Sequence, residues 1–172
     1  MKIEKMMKPF LVSMLLSLFI SCSSDGGGGG TETPDPTDDS TSAIDATIWA
    51  GATLVFEKDG ATDPTLAENQ DRISNNVWIT RASGGGQIYN AARETEADQD
   101  ESPVGTLWAR GTTANLENLT FDTFRATLDK PKDNVGVDLV MLLVEENIAI
   151  DVKFTSWAQQ QIGGFAYERS TE

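Results

Sequence analysis

Residues 137–157 read VDLVMLLVEENIAIDVKFTSW, and this segment has the clearest strand pattern in the chain. Its first eight residues are almost continuously apolar, as expected for a strand that is buried on both faces. In the last ten residues apolar and polar side chains alternate, and the apolar ones on a shared face are Ile148, Ile150, Val152 and Phe154. The residues between the two segments, Glu145-Glu146-Asn147, predict a turn. Residues 137–157 are therefore predicted to form a β-hairpin.

Five shorter segments around this hairpin are also predicted to be strands. They contain many β-branched and aromatic residues, and turn signals such as Asp59-Gly60 and the glycines at 84–86 separate them. The predicted strands are residues 47–57, 76–81, 87–93, 106–109 and 165–169. The second and third of these are expected to form another hairpin around the three glycines.

Residues 116–128 fit a helical period about as well as they fit strands. Their apolar positions are Leu116, Leu119, Phe121, Phe124 and Leu128. A short helix is predicted here, ending before Pro131 because proline cannot continue a helix. No long helices alternate with the strands, which argues against a parallel α/β fold. The expected fold class is mainly β, an antiparallel β-sandwich with one short helix and with a jelly roll as one candidate arrangement.

The composition of the chain excludes several kinds of site. The 172 residues include no histidine and one cysteine, so imidazole bases, histidine metal ligands, intrachain disulfides and thiolate zinc sites are all ruled out. The chain carries 27 acidic against 13 basic side chains, a net charge of −14. Nucleic acid is therefore not an expected partner, because binding to phosphates needs a basic face.

Residues 1–21 have the organisation of a signal peptide. Three lysines precede an apolar run at residues 10–20, whose 11 residues are too few to span a bilayer as a helix. The run ends at Phe19-Ile20-Ser21-Cys22, which resembles the lipobox of bacterial lipoproteins. The resemblance implies cleavage before Cys22 and acylation of Cys22, whose acyl chains would anchor the protein. An ordinary secretory signal that ends at a free cysteine is the alternative.

Residues 22–43 are predicted to be a disordered tether between this anchor and a folded domain. They read CSSDGGGGGTETPDPTDDSTSA, with five consecutive glycines, two prolines and almost nothing apolar to bury. A cysteine followed by a Gly-rich, acidic segment resembles lipoproteins that Gram-negative bacteria export to the outer face of the outer membrane. The predicted organisation is a signal peptide at 1–21, a tether at 22–43 and a β-sandwich domain at 44–172, located at the outer membrane and surface-exposed.

Several segments of the predicted domain resemble a recurrent β-sandwich module of secreted and lipid-anchored Gram-negative proteins. The matching segments are residues 77–81 (VWITR), 87–90 (QIYN), 102–109 (SPVGTLWA), 150–157 (IDVKFTSW) and 163–169 (GGFAYER). The module has no established biochemical activity, so the resemblance implies a location and a fold. The module often carries a histidine and a tyrosine near the positions held here by Leu142 and Ala149.

The tryptophans suggest a binding function, because sugars stack their C–H faces on flat exposed rings. The candidate glycan-binding residues are Trp108, Trp157, Tyr89, Asn90, Arg110 and Gln159. Trp49 and Trp78 lie inside predicted strands and are expected to fill the core instead. The expected function is therefore a lipid-anchored surface protein with a non-catalytic binding domain for a glycan. Binding to another envelope protein, through an exposed strand edge or an apolar tryptophan patch, is the alternative.

Acidic residues provide two further candidate sites. Glu96, Asp98 and Asp100 belong to an acidic cluster whose carboxylate oxygens are suitable ligands for Ca²⁺. A solvated acidic loop is the favoured interpretation, and no metal or cofactor is expected. Glu145 and Glu146 are the carboxylate pair on which a glycoside hydrolase would depend, and this enzyme is the second alternative. Because a hairpin turn does not bury a carboxyl group, a non-enzymatic function is preferred.

Overall fold

The computed structural model describes residues 44–172, which lie in one compact unit. The predicted signal peptide, the lipidation site Cys22 and the predicted tether lie outside the described residues. The strands of the described part are β1 Thr47–Trp49, β2 Leu54–Lys58, β3 Asp71–Arg72, β4 Trp78–Ala82, β5 Gly85–Asn90, β6 Thr106–Arg110, β7 Asp138–Leu143, β8 Ile148–Trp157 and β9 Phe165–Arg169. The helices there are α1 Phe124–Leu128 and the 3-10 helices Ala67–Asn69, Thr113–Asn118 and Pro131–Asn134. None of these helices is long and apolar enough to cross a membrane.

The strands form two antiparallel sheets, which confirms the predicted fold class. The larger sheet has the order β2-β9-β8-β7-β6, and β1 joins it by pairing in parallel with the first residues of β8. The smaller sheet has the order β3-β4-β5. Most neighbours are consecutive in sequence, so the sheets are built from hairpins rather than from the two Greek keys of a jelly roll.

The predicted hairpin of residues 137–157 forms the centre of the larger sheet. β7 and β8 pair from Asp138 with Lys153 to Leu143 with Ile148. β7 is buried at every position after Asp138, as its continuous apolar run predicts. One face of β7 contributes to the main core, while Val140 on the other face packs under a small apolar group that includes Leu116.

The main core lies between the two sheets and is rich in aromatic rings. Trp108 of β6 contacts Phe124 of α1 edge-on, with ring centroids 5.0 Å apart, and Phe154 of β8 lies 6.3 Å from Trp108. The smaller sheet contributes aliphatic side chains from β4 and β5, among them Ile79 and Ile88. Edge-on and offset ring pairs of this kind stabilise a core by more than their buried area alone.

Two predicted elements differ from the structure. Residues 47–57 form two strands rather than one, because the chain leaves the sheet at 50–53 where the carboxyl-terminal residues cross it. Gly51 donates its backbone N–H to Thr171 O at 2.8 Å, and a side chain at Gly51 would meet Glu172 O at 2.2 Å. The helix predicted at 116–128 exists only at Phe124–Leu128, because the backbone of Asp122 pairs with that of Trp108 instead.

Candidate functional site

Three of the six predicted glycan-binding residues lie in the interior, so the prediction for them is wrong. Trp108 is 1% exposed, and its Nε1 donates to Thr106 Oγ1 at 3.0 Å. Tyr89 and Asn90 are buried in β5. Asn90 has a structural role, because its Nδ2 donates to the carbonyls of Asn76 and Val104 at 2.6 and 2.8 Å. Trp108 points into the main core from β6, whereas Tyr89 and Asn90 are consecutive and lie on opposite faces of β5, both of which are covered at that point.

Trp157 is partly exposed, but one face of its ring is already occupied. The Arg81 guanidinium lies 4.1 Å above the Trp157 ring, and its Nη1 donates to the carbonyls of Ala158 and Gly164 at 3.0 and 2.8 Å. Burial without a carboxylate partner lowers the pKa of Arg81 to about 10. Arg81 and Trp157 together therefore hold the β8–β9 loop against the smaller sheet.

Arg110 and Gln159 are exposed, as a ligand-binding role would require. Arg110 donates to Thr127 O at 3.0 Å and to Asn134 Oδ1 at 2.5 Å, so its guanidinium is engaged beside α1. Gln159 lies in the β8–β9 loop. Neither residue, nor any other of the six predicted ligand-binding residues, lines either of the two cavities described next.

Trp49 and Trp78, which were expected to fill the core, instead line an open cleft of about 500 Å³. Trp49 is the last residue of β1 and Trp78 is the first of β4, and both indoles are partly exposed. The other lining residues are Arg72, Ile73, Ser74 and Asn75, which end β3 and begin the β3–β4 turn. We call this feature the Trp49–Trp78 cleft.

Hydrogen bonds fix the orientation of Trp78 in the cleft. Its indole Nε1 donates to Ser74 O at 3.0 Å, and its backbone N–H donates to Asn90 Oδ1 at 2.8 Å. Arg72 is the cross-strand neighbour of Trp78, and its guanidinium lies 4.3 Å above the Trp78 ring. Arg72 in turn donates through Nε and Nη2 to Gln70 Oε1 at 3.1 and 2.9 Å.

The β3–β4 turn that forms one wall of the cleft is tied to the β7–β8 turn. Ser74 Oγ and Asn76 Nδ2 donate to Glu146 Oε1 at 2.8 and 3.1 Å. Ser74 Oγ also accepts the backbone N–H groups of Asn76 and Val77. On the opposite side, Trp49 pairs with Ile150 of β8 and packs against the main core. Both walls of the cleft therefore contact the β7–β8 hairpin, one through hydrogen bonds to Glu146 and the other through the pairing of β1 with β8.

A second cavity, of about 390 Å³, lies on the outer face of the larger sheet. Asp138, Lys153 and Glu168 form a row across β7, β8 and β9 in its lining. Lys153 Nζ lies 2.7 Å from Asp138 Oδ1, and the hydrogen bond to Asp138 raises the pKa of Lys153. Asp151 accepts from the backbone N–H and the hydroxyl of Thr113 at 2.7 Å each. Among the charged groups that line this cavity, Asp138 and Lys153 thus pair with each other, Asp151 accepts from Thr113, and Arg169 pairs with Asp71 outside the cavity.

The other acidic candidates are solvent-facing. Arg93 donates to both carboxylate oxygens of Glu145 at 2.5 Å, which lowers the pKa of Glu145, whereas a glycosidase acid needs a raised one. Glu96, Asp98 and Asp100 are exposed, and Asp98 Oδ1 accepts the backbone N–H of Asp100. Within residues 44–172 no three acidic side chains are placed to hold a metal ion.

The sequence predicted Trp49 and Trp78 inside longer strands, and only the structure places them at strand ends that face one cleft. The resemblances to lipoproteins and to a Gram-negative β-sandwich module stay predictions. No protein-family model, no curated protein and no solved structure matches this chain.

Proposed function

We propose that this chain is a lipid-anchored protein of the bacterial outer-membrane surface, and that residues 44–172 are a non-catalytic module that binds a glycan in the Trp49–Trp78 cleft. The anchor would be Cys22, since the sequence that ends there resembles a lipobox. The binding residues differ from those expected from the sequence, because the burial of Trp108, Tyr89 and Asn90 removes them from any surface.

The observation that carries the proposal is the composition of the cleft. Two partly exposed indoles from different sheets line one open space together with Arg72, Ser74 and Asn75. The Arg72 guanidinium covers one face of the Trp78 ring, as Arg81 covers one face of Trp157, so the stacking surface for a sugar is the exposed part of Trp49 and the uncovered part of Trp78. The polar side chains of the cleft offer hydroxyl groups hydrogen-bonding partners. A volume of about 500 Å³ falls in the usual range for small-molecule sites.

The same lining favours a glycan over a protein partner. A tryptophan patch that docks a protein is expected to be apolar at its centre, with polar groups confined to its rim. Here Arg72 lies over the Trp78 ring itself, and Ser74 and Asn75 lie beside it. The ion pair of Glu145 with Arg93 supports a non-catalytic function, because it keeps that carboxyl group ionised.

A glycan array probed with the purified chain tests the proposal. We expect binding to one or more oligosaccharides, and its loss in a Trp49→Ala, Trp78→Ala double variant. Asn75→Ala, at an exposed position of the turn, is expected to weaken binding without affecting the fold. Val55→Ala is the matched control, because Val55 is 66% exposed on β2 and does not line the cleft.

Thermal unfolding of each variant separates loss of the site from loss of the fold. If Asn75→Ala and the double variant remain folded and bind the array as the wild type does, the cleft is not the binding site. If the wild-type chain binds no glycan but captures an envelope protein through the same tryptophans, the protein-binding alternative replaces the proposal.

A further inference from the structure

We infer that the glycan bound in the Trp49–Trp78 cleft carries an oxyanion, a carboxylate or a sulfate, and that Arg72 selects it. The inference rests on the proposed glycan-binding function and names the ligand class of the same cleft. Among the described residues that line the cleft, Arg72 is the only charged one. A ligand in the cleft therefore meets one positive charge and no lining carboxylate.

This local charge is opposite to that of the rest of the domain. From Ile44 onward the sequence has 21 acidic and 10 basic side chains, a net charge of −11. Glu146, which supports the cleft wall, does not line the cleft; its Oε1 accepts from Ser74 and Asn76, and its Oε2 has almost no exposed surface. The net charge of the domain opposes an anionic ligand at long range, so the attraction of Arg72 acts on a charged group only once that group lies in the cleft.

The geometry of Arg72 suits bidentate recognition of an oxyanion. Gln70 Oε1 accepts from Nε and from one N–H of Nη2, which leaves the second N–H of Nη2 and both of Nη1 for a ligand. No acceptor within residues 44–172 bonds Nη1. The outer edge of the guanidinium thus presents two parallel N–H groups, the arrangement that matches two oxygens of a carboxylate or a sulfate.

Two neighbours hold this edge in place before a ligand binds. The Trp78 ring lies 4.3 Å below the guanidinium and fixes its plane. Gln70 is 9% exposed, and its Nε2 donates to Pro64 O at 2.9 Å, so its Oε1 is fixed as well. Gln70 is therefore a positioning residue for Arg72. A guanidinium that is already ordered loses little rotamer entropy on binding, which favours a selective site.

The test compares pairs of oligosaccharides that differ only in charge. The carboxylate probes are tetragalacturonate and its fully methyl-esterified form, and the sulfate probes are a sulfated carrageenan tetrasaccharide and its desulfated form. Calorimetry with the wild-type chain is expected to show at least about tenfold tighter binding of one charged probe than of its neutral partner, as loss of a charge-assisted hydrogen bond implies.

Three variants assign the preference to Arg72. Arg72→Gln is expected to bring the charged probe to within about threefold of the neutral one, and Gln70→Glu to do the same by placing a carboxylate on the guanidinium. Arg125→Gln is the matched control, because Arg125 is an exposed arginine of α1 whose loss changes the net charge equally. Arg72→Lys is expected to keep the charge but lose most of the preference, since lysine has no planar fork.

The possible outcomes separate this inference from the proposed function. If charged and neutral probes bind the wild type equally, or if Arg72→Gln keeps the preference, the oxyanion inference is overturned while tryptophan-dependent glycan binding stands. If neither these probes nor any array glycan binds, both are overturned. Preference in the carboxylate pair alone, or in the sulfate pair alone, supports the inference and identifies which oxyanion the site takes.

Discussion

One carboxylate, that of Asp71, connects the two sheets through side chains deep in the interior. Arg169 Nε and Nη2 donate to its two oxygens at 2.7 and 3.0 Å, and Tyr167 Oη donates to Oδ2 at 2.6 Å. Asp71 and Arg169 are each about 6% exposed. Removing one partner of a buried ion pair typically costs about 3–5 kcal/mol, because the other charge stays buried without compensation. The network therefore fixes β3 against β9.

The same network makes Tyr167 resistant to alkali. Burial beside Asp71 raises the pKa of Tyr167 well above 10, and burial also raises the pKa of Tyr89. These are the two tyrosines of the chain. We expect an ultraviolet titration of the folded protein to show no tyrosinate with a midpoint near pH 10, whereas the urea-unfolded chain titrates both tyrosines there.

The sign of the effect on stability follows from proton binding. Above pH 10 the unfolded chain loses its phenolic protons first, so it binds fewer protons than the folded state and the free energy of unfolding falls as the pH rises. Tyr167→Phe should make this fall shallower, although the variant loses the hydrogen bond to Asp71. A folded-state tyrosinate signal that appears near pH 10 in the wild type but not in Tyr167→Phe would show that Tyr167 is accessible.

The β8–β9 loop packs closely on the tip of the β4–β5 hairpin. Gly163 has a φ of +71°, and a Cβ there would lie 1.9 Å from Ala82 O and 2.9 Å from Ser83 O. Arg81 Nη1 donates to Gly164 O in the same loop. The loop can therefore approach the hairpin only because a residue without a side chain stands at the contact.

Gly163→Ala is accordingly expected to reduce the free energy of unfolding by about 2 kcal/mol or more, because backbone atoms of the hairpin would have to move. The matched control is Gly84→Ala in the same hairpin tip, where a Cβ meets nothing within 4 Å. Its stability should stay within about 1 kcal/mol of the wild type. Chemical denaturation measures both. Equal effects of the two substitutions would contradict this account of the loop contact.

An element could be predicted where the pattern of residues within it was sufficient to show which side chains are buried. The run in β7 and the alternation in β8 report burial directly, and so the central hairpin and the fold class were predicted correctly. The exposure of each tryptophan depends instead on which strand pairs with which. Trp108 points into the sandwich from β6, whereas Trp49 and Trp78 stand at strand ends that meet only in the folded chain. No local sequence pattern shows that these two strand ends lie together, so the cleft could not be predicted from the sequence.

The proposed anchor and the first residue of the proposed cleft are close together in the sequence. Cys22 is in the predicted lipobox, and Trp49 is six residues into the described domain. Several acyl chains on one residue hold a soluble domain to a membrane much more firmly than one chain does.

Cys22→Ala is therefore expected to release the protein from the membrane fraction, because the variant has no thiol to accept a lipid. Fractionation of cells that express the full chain, followed by metabolic labelling with a fatty acid, measures the change. A Gly30→Ala variant in the predicted tether is the control and should stay membrane-bound and labelled. Retention of the unlabelled Cys22→Ala protein in the membrane fraction would refute the lipid anchor.

The parallel pairing of β1 with β8 has a mechanical consequence. In a chain anchored at Cys22 and holding a surface polysaccharide in the cleft, tension between the cell and the polymer would enter the domain at Ile44 and reach Trp49 through three residues of β1. The pairing of Thr47–Trp49 with Ile148–Ile150 would carry that load first, before it reaches the smaller sheet, where Arg72 and Trp78 would also contact the ligand. Detachment of β1 would then remove Trp49 from the cleft, and so weaken binding of the polymer, before the domain itself unfolds.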